Sequence, residues 1–182
     1  MKNHSSEIII LLDNLGRIQH KLGRRDEALK NFSRAAELDG GNKVVWNELG
    51  VVQEELNMLD EAVASFDRAL AVDPNDLAVL NNKKKTFIKA QKYELAIGVC
   101  DRIVVLNPKD HEALLDKAKA LFALGRFGEC LTFADASLHV TPRAKDAMNL
   151  KKDCLMKLGR HADVISWTNE MLGMDPGDHS AM

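Results

Sequence analysis

Aromatic residues are scarce in this chain: two Trp, one Tyr and six Phe make up 5% of its 182 residues. So few ring faces argue against a surface that binds nucleic acid by stacking its bases. An excess of one charge is lacking too. Lys and Arg number 25 and Asp and Glu 27, and the net charge of −2 leaves no basic footprint for a phosphate backbone. The apolar run Ile8 to Leu12 is far too short for a bilayer and ends at Asp13, which also spoils it as a secretory core. With 46% hydrophobic residues the chain can nonetheless bury a core, which argues against disorder.

Proline is rare as well, and its four copies are ordered. Pro74, Pro108, Pro142 and Pro176 stand at equal intervals, which gives the chain a period. Proline cannot continue a helix, and it biases the residue before it away from the helical region. A second series marks a turn within each unit. Gly23, Gly125 and Gly159 share one position of the same frame, where a left-handed residue ends a helix, and Asn57 and Gln91 fill it as weaker stops. The spacing predicts ten helices of about 12–15 residues, two per unit.

The stretch Lys43–Asp76 carries the fullest pattern: Trp46, Leu49 and Gly50, then Ala62, Phe66 and Ala69, then Pro74. This order resembles the tetratricopeptide repeat, a helix–turn–helix unit with the signature W-x2-L-G-x2-Y, A-x3-F and a closing proline. Gln53 stands at the Tyr position. The resemblance implies an all-α, right-handed superhelical array of five such repeats. They span 9–42, 43–76, 77–110, 111–144 and 145–178, after a short lead at 1–8 and before a tail at 179–182. Ser5 and Ser6 are candidate caps for the first helix. Small residues at the helix crossings, Ala28, Ala62, Ala96 and Cys130, let the two helices of a unit approach closely.

Cys100, Cys130 and Cys154 are odd in number and widely spaced, which argues against a disulfide framework and fits a reducing, cytoplasmic setting. Each falls at an apolar frame position, as a small buried hydrophobe would. Two glycosylation sequons, at Asn3 and Asn31, lack a secretory signal and are chance matches.

Repeats three to five depart from the family at Lys83, Lys117 and Lys151, where repeats one and two keep Leu15 and Leu49. Taken alone, Lys83-Lys84-Lys85 suggests an anion site. In the frame, however, Asp67, Asp101 and Asp135 share one column of the second helix, and each precedes a lysine of the other column by the same interval. We expect an inter-repeat ladder of ion pairs, Asp67 with Lys83, Asp101 with Lys117 and Asp135 with Lys151, in which the lysine stems cover apolar surface. The lysine variant also resembles repeats common in methanogen arrays, a hint of archaeal origin.

Catalytic and metal motifs are missing: there is no HExxH, CxxC, glycine-rich phosphate loop or GxSxG. The six histidines are scattered, none four residues from another His or a Cys. We therefore expect no enzyme activity, cofactor or metal. The family's inner face, formed by the first helices, is where its members bind peptides. On that face Asn47, Asn81 and Asn149 share a column, and their amides could pair with both N–H and C=O of an extended peptide. Lys85 and Lys119 adjoin them as carboxylate contacts, and Ile88, Phe122 and Met156 form an apolar strip.

The Lys/Asn/Asn/Lys/Arg clamp of chaperone-binding members does not match. Its positions hold Asp13, Arg17, Glu48, Ala78 and Asn82 or, one repeat on, Asn47, Val51, Asn82, Glu112 and Asp116. The expectation is a non-catalytic scaffold that takes a protein or peptide segment in its groove, with no nucleic acid or membrane partner. The alternatives are self-assembly into a homo-oligomer through the array ends and, more distantly, a regulatory part of a larger enzyme.

Overall fold

The computed structural model describes residues 2–174, with side chains over 6–173. Pro176, His179 and the tail at 179–182 lie outside the described residues, as do the side chains of His4 and Ser5. Every described element is helical: α1 (Lys2–Lys21), α2 (Arg25–Leu38), α3 (Lys43–Glu55), α4 (Leu59–Val72), α5 (Leu77–Lys89), α6 (Tyr93–Leu106), α7 (His111–Ala123), α8 (Phe127–Val140), α9 (Lys145–Lys157) and α10 (His161–Met174). Odd-numbered helices are the first, or A, helix of a pair; even-numbered ones are B. The chain divides into two compact units, Met1–Gln91 and Lys92–Met182, and the boundary falls between α5 and α6.

The turn residues behave alike whatever their type. Gly23, Asn57, Gln91, Gly125 and Gly159 all have positive φ, between 56° and 75°. Asn57 and Gln91 thus accept the left-handed conformation that glycine takes without steric cost. The next A helix is started by a side-chain cap. Asn42, Asp76 and Asp110 accept hydrogen bonds from backbone N–H groups at the start of α3, α5 and α7. Ala144 holds that position before α9 and offers no such bond. One expectation is corrected at the front of the chain: α1 begins at Lys2 and is 20 residues long, so Ser5 and Ser6 lie inside it rather than capping it.

In the first unit α2 packs between α1 and α3. Ala28, Phe32, Ala35 and Ala36 meet Val45, Leu49 and Val52 in one core. The Leu-Gly pair of the signature is a close-approach device here. A Cβ on Gly50 would lie 2.6 Å from the Phe66 ring, and one on Gly16 would lie 2.8 Å from Phe32. Gln53, at the Tyr position, is buried and accepts a 2.6 Å hydrogen bond from the Ser65 hydroxyl. A buried amide is tolerated because its oxygen has this partner.

The second unit has two linked cores. Ile97, Ala118, Leu121, Cys130, Ala134 and Cys154 form one, and Leu115, Leu138, Met148, Leu155, Trp167 and Met171 the other. The cysteines correct a second expectation. Cys130 of α8 and Cys154 of α9 form a disulfide, with Cα atoms 6.7 Å apart, while Cys100 is buried and takes no part in that bond. A spacing of 24 residues is no obstacle once α8 and α9 lie side by side.

The expected ladder is present. Lys83 pairs with Asp67 at 2.5 Å, Lys151 with Asp135 at 2.8 Å, and Lys117 with Asp101. Each lysine is mostly buried while its aspartate is about half exposed. An aromatic ring completes each seat: Phe87 lies 5.4 Å from the Lys83 amine, Phe133 3.7 Å from Lys117 and Trp167 4.0 Å from Lys151.

Candidate peptide-binding faces

Within each unit the A helices contact one another, and the candidate residues are carried on these helices. In the first unit the contacts recur one residue beyond the repeat length. His20 bonds Glu55 at 3.0 Å, Asn82 donates to Asn47 at 2.9 Å, and Lys89 pairs with Glu54 at 2.7 Å, each 35 residues apart. Glu55 is also held by Arg25 at 2.6 Å. Burial pushes the Glu55 carboxyl up, but hydrogen bonds from Arg25 and His20 outweigh it and leave the group below its ordinary value. Arg17 bonds Asp13 at 3.0 Å and approaches Glu48 at 3.9 Å.

Against this network the proposed asparagine column divides. Asn47 gives its amide oxygen to Asn82, the residue after its column neighbour Asn81. Asn81 instead turns its amide N–H back to the Leu77 carbonyl of its own helix, at 2.9 Å. That is the local bond by which Asn competes with regular pairing. Asn82 was missed by counting in whole periods; the step of 35 residues between neighbouring A helices is the signal that finds it. Lys85 is exposed, without a hydrogen-bond or ion-pair partner among the described residues, and it lines a cleft of about 60 Å³ with Val51, Glu54, Asn82 and Thr86. Ile88, one turn on, is half-buried.

In the second unit Lys119 is already engaged. Its amine lies 2.8 Å from Asp146, and that hydrogen bond holds the Asp146 carboxyl below its ordinary value. Phe122 packs edge-on to Phe127, with ring centroids 5.2 Å apart. Asn149 behaves differently from the other two asparagines: its Oδ1 is buried and has no partner among the described residues. Met156 is exposed. The structure therefore places Asn47 and Lys85 beside the contact between α3 and α5 in one unit, and in the other pairs Lys119 of α7 with Asp146 of α9 while Phe122 turns to Phe127 of α8. Lys85 is the cation that remains unpaired among the candidates.

No group of three or more His, Cys, Asp or Glu among the described residues has the arrangement of a metal site. No described helix is long and apolar enough to cross a membrane.

Comparison with known proteins gives a family and a fold. The family model of the CABIN1 N-terminal domain matches residues 6–120. A search of curated proteins finds no match. Among solved structures, MamA from Desulfovibrio magneticus RS-1, residue 41 to its end, superposes with a TM-score of 0.82 at 17% identity, over 95% of this chain and 98% of that one. MamA AMB-1 gives 0.80 at 22% identity, over 94% of each chain. YrrB, described as a TPR protein with an unusual peptide-binding site, gives 0.78 at 21% identity, over 93% of this chain and 87% of that one. The chain thus has the helical-repeat fold of a TPR protein. None of these likenesses carries the hint of archaeal origin.

Proposed function

The chain belongs to the CABIN1 N-terminal domain family, and from that premise and its fold we propose that it is a binding scaffold, not an enzyme, whose A-helix faces hold a segment of another protein. The observation that carries this reading is Lys85. Glu54, which lines the same cleft, is spent on Lys89. Lys85 is left exposed beside a cleft with the half-buried Ile88 one turn away. A cation next to an apolar anchor suits a peptide that places a carboxylate beside a hydrophobic side chain. The peptide-binding site named for YrrB, a structure of the same fold, supports the same class of ligand. In the second unit the exposed Met156 supplies the corresponding apolar contact. We further infer that the helix pairs, one per period, are the units of the array.

Selection from a displayed library of extended peptides tests the reading. It should enrich sequences with Asp or Glu next to an aliphatic residue, and Lys85→Glu should abolish their binding. Enrichment that is indifferent to Lys85→Glu and Ile88→Asp together would remove the A-helix face of the first unit as the site.

A further inference from the structure

Four A helices bury two positions that the first A helix leaves open. Val45, Val79, Ala113 and Ala147 form one column, at most 2% exposed, whereas Leu11 in that column is 67% exposed. Val52, Thr86, Ala120 and Cys154 form the next, again at most 2% exposed, whereas Ile18 is 56% exposed. Leu15 is 46% exposed and its counterpart Leu49 only 4%. The buried columns are covered in part by a B helix: α2 packs on α3, α4 on α5, α6 on α7 and α8 on α9. The outer face of α1 therefore repeats a surface that everywhere else in the chain meets a B helix. Its side chains remain large and apolar.

The chain also carries a B-helix surface that is open in the complementary way. Leu29, Ile97 and Leu131 occupy one B-helix column and pack into cores shared with α3, α7 and α9. Ile165 occupies that column on α10 and is 64% exposed.

The charge pattern selects the pairing. Wherever the A helix offers a lysine at the Leu15 column, the B helix before it offers an aspartate: Asp67 to Lys83, Asp101 to Lys117, Asp135 to Lys151. Where the A helix offers Leu49, the B helix before it has Ser33. On α10 the same column holds Asn169, a neutral residue suited to meet a leucine. An aspartate there would be left buried against Leu15 without a cation.

We propose that the exposed face of α1 is the docking site for α10 of a second copy of this chain, joining copies head to tail through the contact that already joins α2 to α3. Leu11, Leu15 and Ile18 of one copy cover Ile165 and Asn169 of the next. Such a contact is heterologous, so it leaves a free α1 and a free α10 at the ends and continues beyond two copies.

Light scattering on the whole chain as it elutes from a sizing column, at rising concentration, tests this. The mass should grow past that of two chains. Ile18→Glu and Ile165→Glu, both at exposed positions, should each keep their helical content and each return the mass to a single chain. Mixing these two variants should give a species of two chains and no more, because one supplies an intact α10 and the other an intact α1. A wild-type mass that stays at one chain overturns the proposal. So does assembly that survives either single variant: if Ile165→Glu still associates, the 3-4-3-4 spacing of Ile8, Leu11, Leu15, Ile18 and Leu22 pairs α1 with itself instead. Failure of the mixed variants to pair also overturns it.

Discussion

Lys117 of α7 reaches back to Asp101 of α6 while its amine sits 3.7 Å from the ring of Phe133 on α8. One side chain thus ties three helices of the second unit. The lysine is 11% exposed and the aspartate 54%, so the two ends of the bond differ in what they lose when it breaks. Asp101→Ala leaves a mostly buried ammonium without its hydrogen-bonded partner, beside the Phe133 ring and with Glu129 in electrostatic range. It should cost about 1 kcal/mol, at the upper end for exposed pairs. Lys117→Met keeps the stem and its packing, and pairing it with Asp101→Ala should cost less than Asp101→Ala alone, because no buried charge remains. Urea unfolding of the three variants checks this order.

Gly50 lies under the Phe66 ring, with room for hydrogen but not for a methyl group. Gly50→Ala should destabilise by about 1–3 kcal/mol through overpacking. Gly98 in α6 has no neighbour within 4 Å of an added Cβ. Gly98→Ala should therefore stabilise by about 0.5–1 kcal/mol, from helix propensity alone. Opposite shifts of the unfolding midpoint for two Gly→Ala changes are the expected result. Equal shifts would mean that the Phe66 ring moves aside freely.

The Gly–Phe contact also shows what was legible in the sequence. The signature Gly and Phe occur together in repeats one and two, and the later repeats lose both: Lys84 and Cys100, Ala118 and Ala134, Lys152 and Thr168 fill the two columns. Anything that recurs with the period of the prolines could be found this way, which covers the helix order, the five positive-φ turns and the lysine–aspartate ladder. The candidate site was less legible because it depends on offsets the period does not contain. Asn47 meets Asn82 and not Asn81 because neighbouring A helices are staggered by one residue. Lys119 looked like a free cation, and its partner Asp146, from the next repeat, stands at no multiple of the period from it. The cysteine pair was illegible for a related reason: Cys130 and Cys154 occupy different frame positions, and only the side-by-side packing of α8 and α9 brings them together.

That pairing has a simple chemical consequence. Unfolded in denaturant without reductant, the chain should show one reactive thiol, that of Cys100; after reduction it should show three. The bond closes a loop between residues 24 apart, and the chain-entropy argument gives about 3 kcal/mol for a loop of this size. Reductant should lower the stability of the wild type by that order and leave Cys130→Ala/Cys154→Ala unaffected. A wild type with three reactive thiols from the outset would rule the bond out.

Lys43, at the start of α3, lies 2.7 Å from Asp73 and 2.8 Å from Asp76, so one ammonium serves two carboxylates on the far side of α4. Hydrogen bonds from Lys43 hold both carboxyls below their ordinary 3.8. The same bonds, that to Asp73 foremost, raise the Lys43 ammonium well above its usual range. A carboxyl whose folded value is depressed contributes stability that is present above 3.8 and lost as pH falls through the lower folded value. The raised lysine contributes below its ordinary 10.5, and that part is lost only as pH rises through the higher folded value, so it does not shape the acid side. The pair should therefore appear as acid sensitivity. Lys43→Met should be less stable than wild type near neutrality, and the difference should shrink between about pH 5 and pH 2 as both carboxyls protonate. Asp76 keeps its second task in the variant, capping α5 through Ala78 and Val79, so the helix start should survive. Urea midpoints across that range decide the matter: parallel curves for the two proteins would show that the two carboxyls titrate alike folded and unfolded.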